Sequence, residues 1–146
     1  MNDTTRLVLL RTGVVIGKNG GIIKKMSLPF KLGAGGKIAS GCQAISWIHL
    51  EDEVRAILHI IGHQEISGAV NLVCNSASNL EFSKQLAKAL NRPCIFTIPA
   101  LTMKLAYGEM ARELLLNGQK VYSQVLQKSG FQFKYGNLFE AIKSSI

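Results

Sequence analysis

An α/β fold is what this sequence predicts, and three observations predict it. A short apolar run near the start reads as a parallel strand, capped or acid-led helical segments alternate with further short apolar runs, and helical spacing takes over after about residue 100.

The first run, Leu7–Leu10, is continuously apolar, which suits a strand buried on both faces of a parallel sheet. Gly17, Gly20 and Gly21 then precede a helix over Ile22–Phe30, limited by Pro29, and a second glycine cluster follows at Gly33, Gly35, Gly36 and Gly41. Ser46–Leu50 reads as a short strand leading into a helix. Glu51, Asp52 and Glu53 favour the positive end of that helix's dipole. Val54, Ile57, Leu58 and Ile61 recur at helical spacing, and Gly62 is placed to end the run.

Ala69–Cys74 is the next strand. Ser78 with Glu81 forms a capping box that opens a helix through Leu80, Leu86, Ala87 and Leu90. Asn91-Arg92-Pro93 ends it, and Cys94–Ile98 is extended. Beyond Pro99, helices are predicted over Leu101–Ala106, Glu109–Leu116 (capped by Asn117-Gly118), Val121–Lys128 (ending at Gly130) and Asn137–Ile142. This divides the chain at residue 98: about two parallel core strands with shorter ones in 1–98, then a helical region over 99–146. Few strands are a thin basis for an independent parallel sheet, so part of the sheet is missing from this reading.

Composition narrows the function classes. At 146 residues and 47% hydrophobic, the chain has the makings of one packed domain rather than a disordered one. Its apolar runs are too short to cross a bilayer, and Met1–Arg6 is too polar for a signal peptide, so the cytoplasm is the expected location. Cys42, Cys74 and Cys94 are widely spaced without a CxxC pair, which argues against a disulfide framework and a zinc site. The net charge of +8 is uneven: seven bases and no acid lie between Thr4 and Leu50, a field that attracts anions. Those bases are not interleaved with aromatics and no nucleic-acid-binding motif accompanies them, so a small anionic ligand is expected rather than nucleic acid.

Several patterns fail on spacing. Gly33-Ala34-Gly35-Gly36-Lys37 lacks the Ser or Thr that a phosphate loop needs next, because Ile38 stands there. The glycines at 17, 20 and 21 do not match a dinucleotide fingerprint. His59 and His63 sit four residues apart with no carboxylate at a metal-site spacing, and read as a surface helix end.

One set of motifs runs through nearly the whole chain. Trp47-Ile48-His49-Leu50-Glu51-Asp52 resembles the Val-His-Val-Asp-Asp motif of extended short-chain dehydrogenases/reductases, the group that contains nucleotide-sugar epimerases. Leu10–Gly17 resembles the strand after that family's catalytic helix. Gly20-Gly21, Lys25-Met26, Pro29-Phe30, Leu32-Gly33 and Ser46–His49 resemble one epimerase-like subfamily. Gly108-Glu109-Met110, Leu114–Leu116, Gly118–Val121 and Gly130–Tyr135 are similar to its C-terminal domain of no agreed function. The match runs from about Arg6 to about Ile142.

The resemblance implies the C-terminal part of a Rossmann-like, doubly wound fold, with the cofactor mainly in an N-terminal half and the substrate pocket mostly in this one. The family's glycine-rich cofactor loop and Tyr-x-x-x-Lys pair do not occur here: four residues after Tyr107, Tyr122 and Tyr135 stand Ala111, Leu126 and Phe139. The resemblance therefore implies no catalytic residue in this chain, and NADP or NAD for the full-length family but not for this chain alone. Two partners follow as expectations, a missing N-terminal half or a second copy pairing through an exposed first strand. The first describes the substrate-side fragment of an NAD(P)-dependent nucleoside-diphosphate-sugar epimerase-like oxidoreductase. The second describes a non-catalytic interaction module.

The resemblance also nominates residues. Arg11, Thr12 and Gly13, at the carboxyl end of the first strand, would lie beside the nicotinamide, at the end of the sheet where such folds bind ligands. Lys25, Gln43 and Trp47 match substrate-side positions. Nucleotide-sugar epimerases commonly carry an arginine two residues after the glutamine; here it is Ile45, which cannot make a charge-assisted contact to a diphosphate. His49 reads as a satisfied core residue and Asp52 as a helix-start acid.

Overall fold

A computed structural model describes residues 5–18, 20–102 and 118–146. The described elements are β1 (Val8–Thr12), β2 (Val14–Ile16), α1 (Gly21–Lys31), β3 (Gly36–Ile38), β4 (Ala44–His49), α2 (Leu50–Gly62), β5 (Gly68–Leu72), β6 (Asn75–Ser78), α3 (Asn79–Leu90), β7 (Phe96–Ile98), α4 (Gln124–Lys128) and α5 (Leu138–Lys143). The expected α/β class is what the chain adopts. The expected helices over 103–117 lie outside the described residues.

Parallel pairing dominates. β1 pairs β5, β2 pairs β4 and β3 pairs β7, all parallel, while β6 joins the free side of β4 antiparallel. Gly13 is the joint between β1 and β2, where the chain leaves β5 for β4. Its N–H donates to the Leu72 carbonyl at 3.0 Å. A Cβ there would stand 2.7 Å from the Ser46 carbonyl oxygen and 3.0 Å from Val73 Cγ2, so only glycine lets the two strands approach this closely.

Two hydrophobic clusters flank the β2–β4 pair. Val14, Ile16, Ile45 and Trp47 join α1, α3 and α5 residues, among them Phe30, Phe82, Leu86 and Ile142. Val15 and Ile48 join Ala56, Ile60, Val70, Leu72, Leu126 and Phe131 on the other side. The period-two alternation of a strand accounts for the division. β4 is the central, doubly buried strand.

Two expectations need correction. β1 is not buried on both faces: Leu9 and Leu10 are 53% and 42% exposed, because among the described residues only β5 pairs it and no element covers its outer side. α4 starts at Gln124 rather than Val121, because the Val121 N–H is bonded to Ser46 Oγ instead of entering a helix. The helix expected over Ile22–Phe30 is α1, which runs through Pro29 and ends at Lys31, since Phe30 and Met26 are anchored in the core and hold the last turn despite the lost N–H. On α2, Asp52, Ala56 and Ile60 point inward, whereas Val54, Leu58 and Ile61 are exposed.

Gly13→Ala is expected to destabilise the fold by about 1–3 kcal/mol, from overpacking against the Ser46 carbonyl. Urea titration followed by circular dichroism checks this, with Gly62→Ala, whose added Cβ meets nothing within 4 Å, as the control.

Candidate functional site

Parallel α/β sheets bind ligands at the carboxyl ends of their strands, and β1 ends in Arg11 and Thr12, with Gly13 the joint to β2. Arg11 and Thr12 are exposed. Register places Arg11 opposite Asn71 and Thr12 opposite Leu72. Arg11 lines a depression of about 480 Å³ together with Asn71, Lys120, Tyr122 and Gln124. Among the described residues its rim carries the guanidinium and ammonium of Arg11 and Lys120 and no carboxylate, an arrangement that favours an anion.

The far wall is held in place by two polar side chains. Asn71 Nδ2 donates to the Tyr122 carbonyl at 3.0 Å. Ser46 Oγ donates to the Gln119 carbonyl at 2.6 Å and accepts from the Val121 N–H at 3.0 Å. Since Ser46 has one proton, the 2.8 Å contact with Ser76 Oγ leaves Ser76 as donor. A buried serine in β4 therefore positions Lys120 near Arg11. Sequence reading missed Ser46, because its partners lie 73 and 75 residues away.

The other nominated residues lie elsewhere. Lys25 is on the exposed face of α1. Gln43 braces the β3–β4 turn: its Nε2 donates to the Ile38 carbonyl at 3.1 Å, and its own carbonyl accepts from the Asn79 N–H at 2.8 Å. Trp47, 1% exposed, packs in the core beside Val14. None of the three lines the Arg11 depression. Ile45 is likewise buried in the core.

His49 is the N-cap of α2 and fully engaged. Its Nδ1 accepts from the Glu51 N–H at 3.2 Å, which puts the neutral ring's proton on Nε2, facing Ser144 Oγ at 3.2 Å and Ser145 Oγ at 3.4 Å. The ring lies against Tyr135, with centroids 3.8 Å apart. Burial pulls its pKa below the ordinary 6.5, outweighing the opposite pull of Asp52 and Glu51, and Lys134 adds to the lowering. Such a histidine caps and packs. Asp52, fully buried, does more than start a helix: it accepts from the backbone N–H groups of Lys134 and Tyr135, both at 2.8 Å, and from Arg55 at 2.7 Å.

Comparison with known proteins shows what the chain is similar to. Residues 98–145 match a domain of unknown function, DUF1731. The chain is 40% identical over 139 residues to the epimerase family protein ML0860 of Mycobacterium leprae, covering 94% of this chain and 45% of that protein. It is 37% identical over 145 residues to the human epimerase family protein SDR39U1, covering 99% of this chain and 50% of that one. The crystal structure of human SDR39U1 (isoform 2) with NADPH superposes with a TM-score of 0.89 at 36% identity, over 98% of this chain and 49% of that chain. A nucleoside-diphosphate sugar epimerase from Corynebacterium glutamicum superposes with a TM-score of 0.72 at 27% identity, over 97% and 26%. The chain thus spans about half the length of the curated relatives it matches. These relatives lend no support to the alternative of a self-associating interaction module.

Asp52→Ala is expected to cost about 2–4 kcal/mol by stranding the Lys134 and Tyr135 N–H groups, with Asp52→Asn costing less, as read from denaturant melts. His49 generates a pH prediction. Its folded pKa lies below 6.5, so the unfolded chain binds the extra proton first on acidification. Its contribution is full above pH 6.5 and is lost as pH falls through the folded pKa. Thermal melts from pH 7.5 to 5 should show this loss, reduced in His49→Asn.

Proposed function

We propose that this chain is the C-terminal part of an epimerase-like protein of the short-chain dehydrogenase/reductase type, the substrate-side portion of an NAD(P)-dependent oxidoreductase, and does not turn over alone. The observation that carries the reading is the superposition of nearly the entire chain on half of an NADPH-bound relative. The parallel strand ends give it a chemical basis.

In this reading Arg11, Thr12 and Gly13 sit beside the nicotinamide when the remainder of the fold is present. The exposed guanidinium and hydroxyl at the end of β1 suit a polar, anionic cofactor, so the residues present fit the group. The cofactor supplies hydride transfer when bound. This chain supplies the wall around it: Gly13 brings β1 and β2 against β4, and Ser46 and Asn71 hold Lys120 and Tyr122 over Arg11. Lys25, Gln43 and Trp47 are assigned to the substrate side; Gln43 and Trp47 act through the shape of their turn and core rather than by direct contact. The family's diphosphate-binding arginine is replaced by a buried Ile45, so a carbonyl or carbinol substrate without a nucleoside diphosphate is the better fit.

Fluorescence titration tests the reading. NADPH should not bind the chain alone, and should bind when the remaining half of human SDR39U1 is co-expressed with it. Arg11→Ala should weaken that binding about 10-fold or more, as expected for a charge-assisted contact. Unchanged affinity in Arg11→Ala would remove Arg11 from the cofactor site, and no binding by the assembled pair would sink the proposal.

A further inference from the structure

The helices α1, α3 and α5 pack on the Trp47 side of the sheet, α1 against α3 and α3 against α5. Where the flank of α1 meets the end of α3 and the residues after α5, they leave a groove of about 480 Å³. Ile23, Leu28, Leu90 and Ile146 give it apolar walls, and the exposed Lys24 and Lys31 stand at its rim. None of its lining residues belongs to the Arg11 depression.

Two serines also line the groove, and both hydroxyl protons are engaged. Ser27 Oγ donates to the Ile23 carbonyl at 2.6 Å, and Ser145 Oγ donates to the Ala141 carbonyl at 2.9 Å. A sugar or polyol therefore finds no hydroxyl donor here, and the two ammonium groups are what can orient a ligand.

Helical spacing explains the arrangement. Lys24, Leu28 and Lys31 fall on one flank of α1, which puts the lysines about 10 Å apart along the axis with Leu28 between them. Leu28 is 59% exposed. α1 carries three lysines and no acidic residue, and among the described residues no acidic side chain lines the groove. The groove is thus concave and aliphatic, with positive charge along one edge. Its volume lies within the roughly 300–1,000 Å³ usual for small-molecule sites.

We propose that this groove binds a single-chain amphiphile, a free long-chain carboxylate, with its head at the lysine rim and its acyl chain along Leu28, Leu90 and Ile146. Lysine presents a compact point charge that a carboxylate satisfies, whereas a diphosphate is better matched by the planar fork of arginine. The aliphatic walls favour each methylene removed from water. The proposal goes beyond the oxidoreductase reading and does not rest on it, since no residue assigned to cofactor or substrate lines the groove.

Isothermal titration calorimetry of the purified chain with dodecanoate, kept below its micelle-forming concentration, tests this. One molecule should bind per chain. Octanoate should bind at least about 10-fold more weakly because it buries fewer methylenes, and dodecanol equally so because it lacks the charge. Lys24→Gln with Lys31→Gln, and separately Leu28→Glu, should each weaken dodecanoate at least about 10-fold. Both variants should melt within about 1–2 °C of wild type, since all three side chains are exposed. Absence of dodecanoate binding, or unchanged affinity in either variant, would overturn the proposal. Octanoate binding as tightly as dodecanoate would also overturn it, by marking a site for bare anions. So would binding to phosphatidylglycerol vesicles through these residues with no affinity for free dodecanoate, which would assign the face to a lipid surface.

Discussion

The Asp52 carboxylate is the constraint on which the rest of the chain depends. A buried carboxylate is costly without compensation, and compensation here comes from the backbone of residues 134 and 135 and from Arg55. Meeting that requirement draws the C-terminal segment across the start of α2. Phe131 then enters one hydrophobic cluster, while Tyr135 lies against His49 and packs on the other. α5 follows and contributes Leu138, Ala141 and Ile142 to the Trp47 cluster, and Ser144 and Ser145 complete the hydrogen bonds of His49. One acid thereby couples the two cores and the C-terminal region.

The same arrangement makes the molecule one-sided. The segments after residue 118 cover the β5 side, shape the Arg11–Lys120 depression, and close one flank of α2. Nothing described closes the β1 side. The carboxyl end of β1 accordingly lies on this open side, which is where the proposed function puts the cofactor.

Much of the fold was legible because it depends on local signals. The apolar run of β1, the acids opening α2, and Ser78 accepting from the Glu81 N–H at 3.1 Å are each written within a few residues. β6 was not legible: Asn75-Ser76-Ala77-Ser78 has no strand pattern and becomes one only because β4 offers a free edge. The α2 stripe was read as helical, yet periodicity does not say which of two apolar sides meets this chain's own core.

The candidate site was less legible than the fold. Arg11, Thr12 and Gly13 were nominated by the resemblance and by their place at the end of the first strand, and the close approach of Ser46 and Val73 shows why a glycine stands at 13. Ser46, Asn71 and Lys120 converge only through contacts more than 50 residues apart in sequence, which no local pattern encodes. Gln43 and Trp47 matched motif positions, and the structure places the first in a turn network and the second in the core.

Amide hydrogen exchange on the chain, alone and with the complementary half, tests the central claim most directly. The account predicts fast exchange at Val8, Leu10 and Thr12 in the chain alone, slow exchange at Leu9 and Arg11, and protection spreading to all five on assembly. Val8, Leu10 and Thr12 already protected in the isolated chain, or unchanged on assembly, would contradict it.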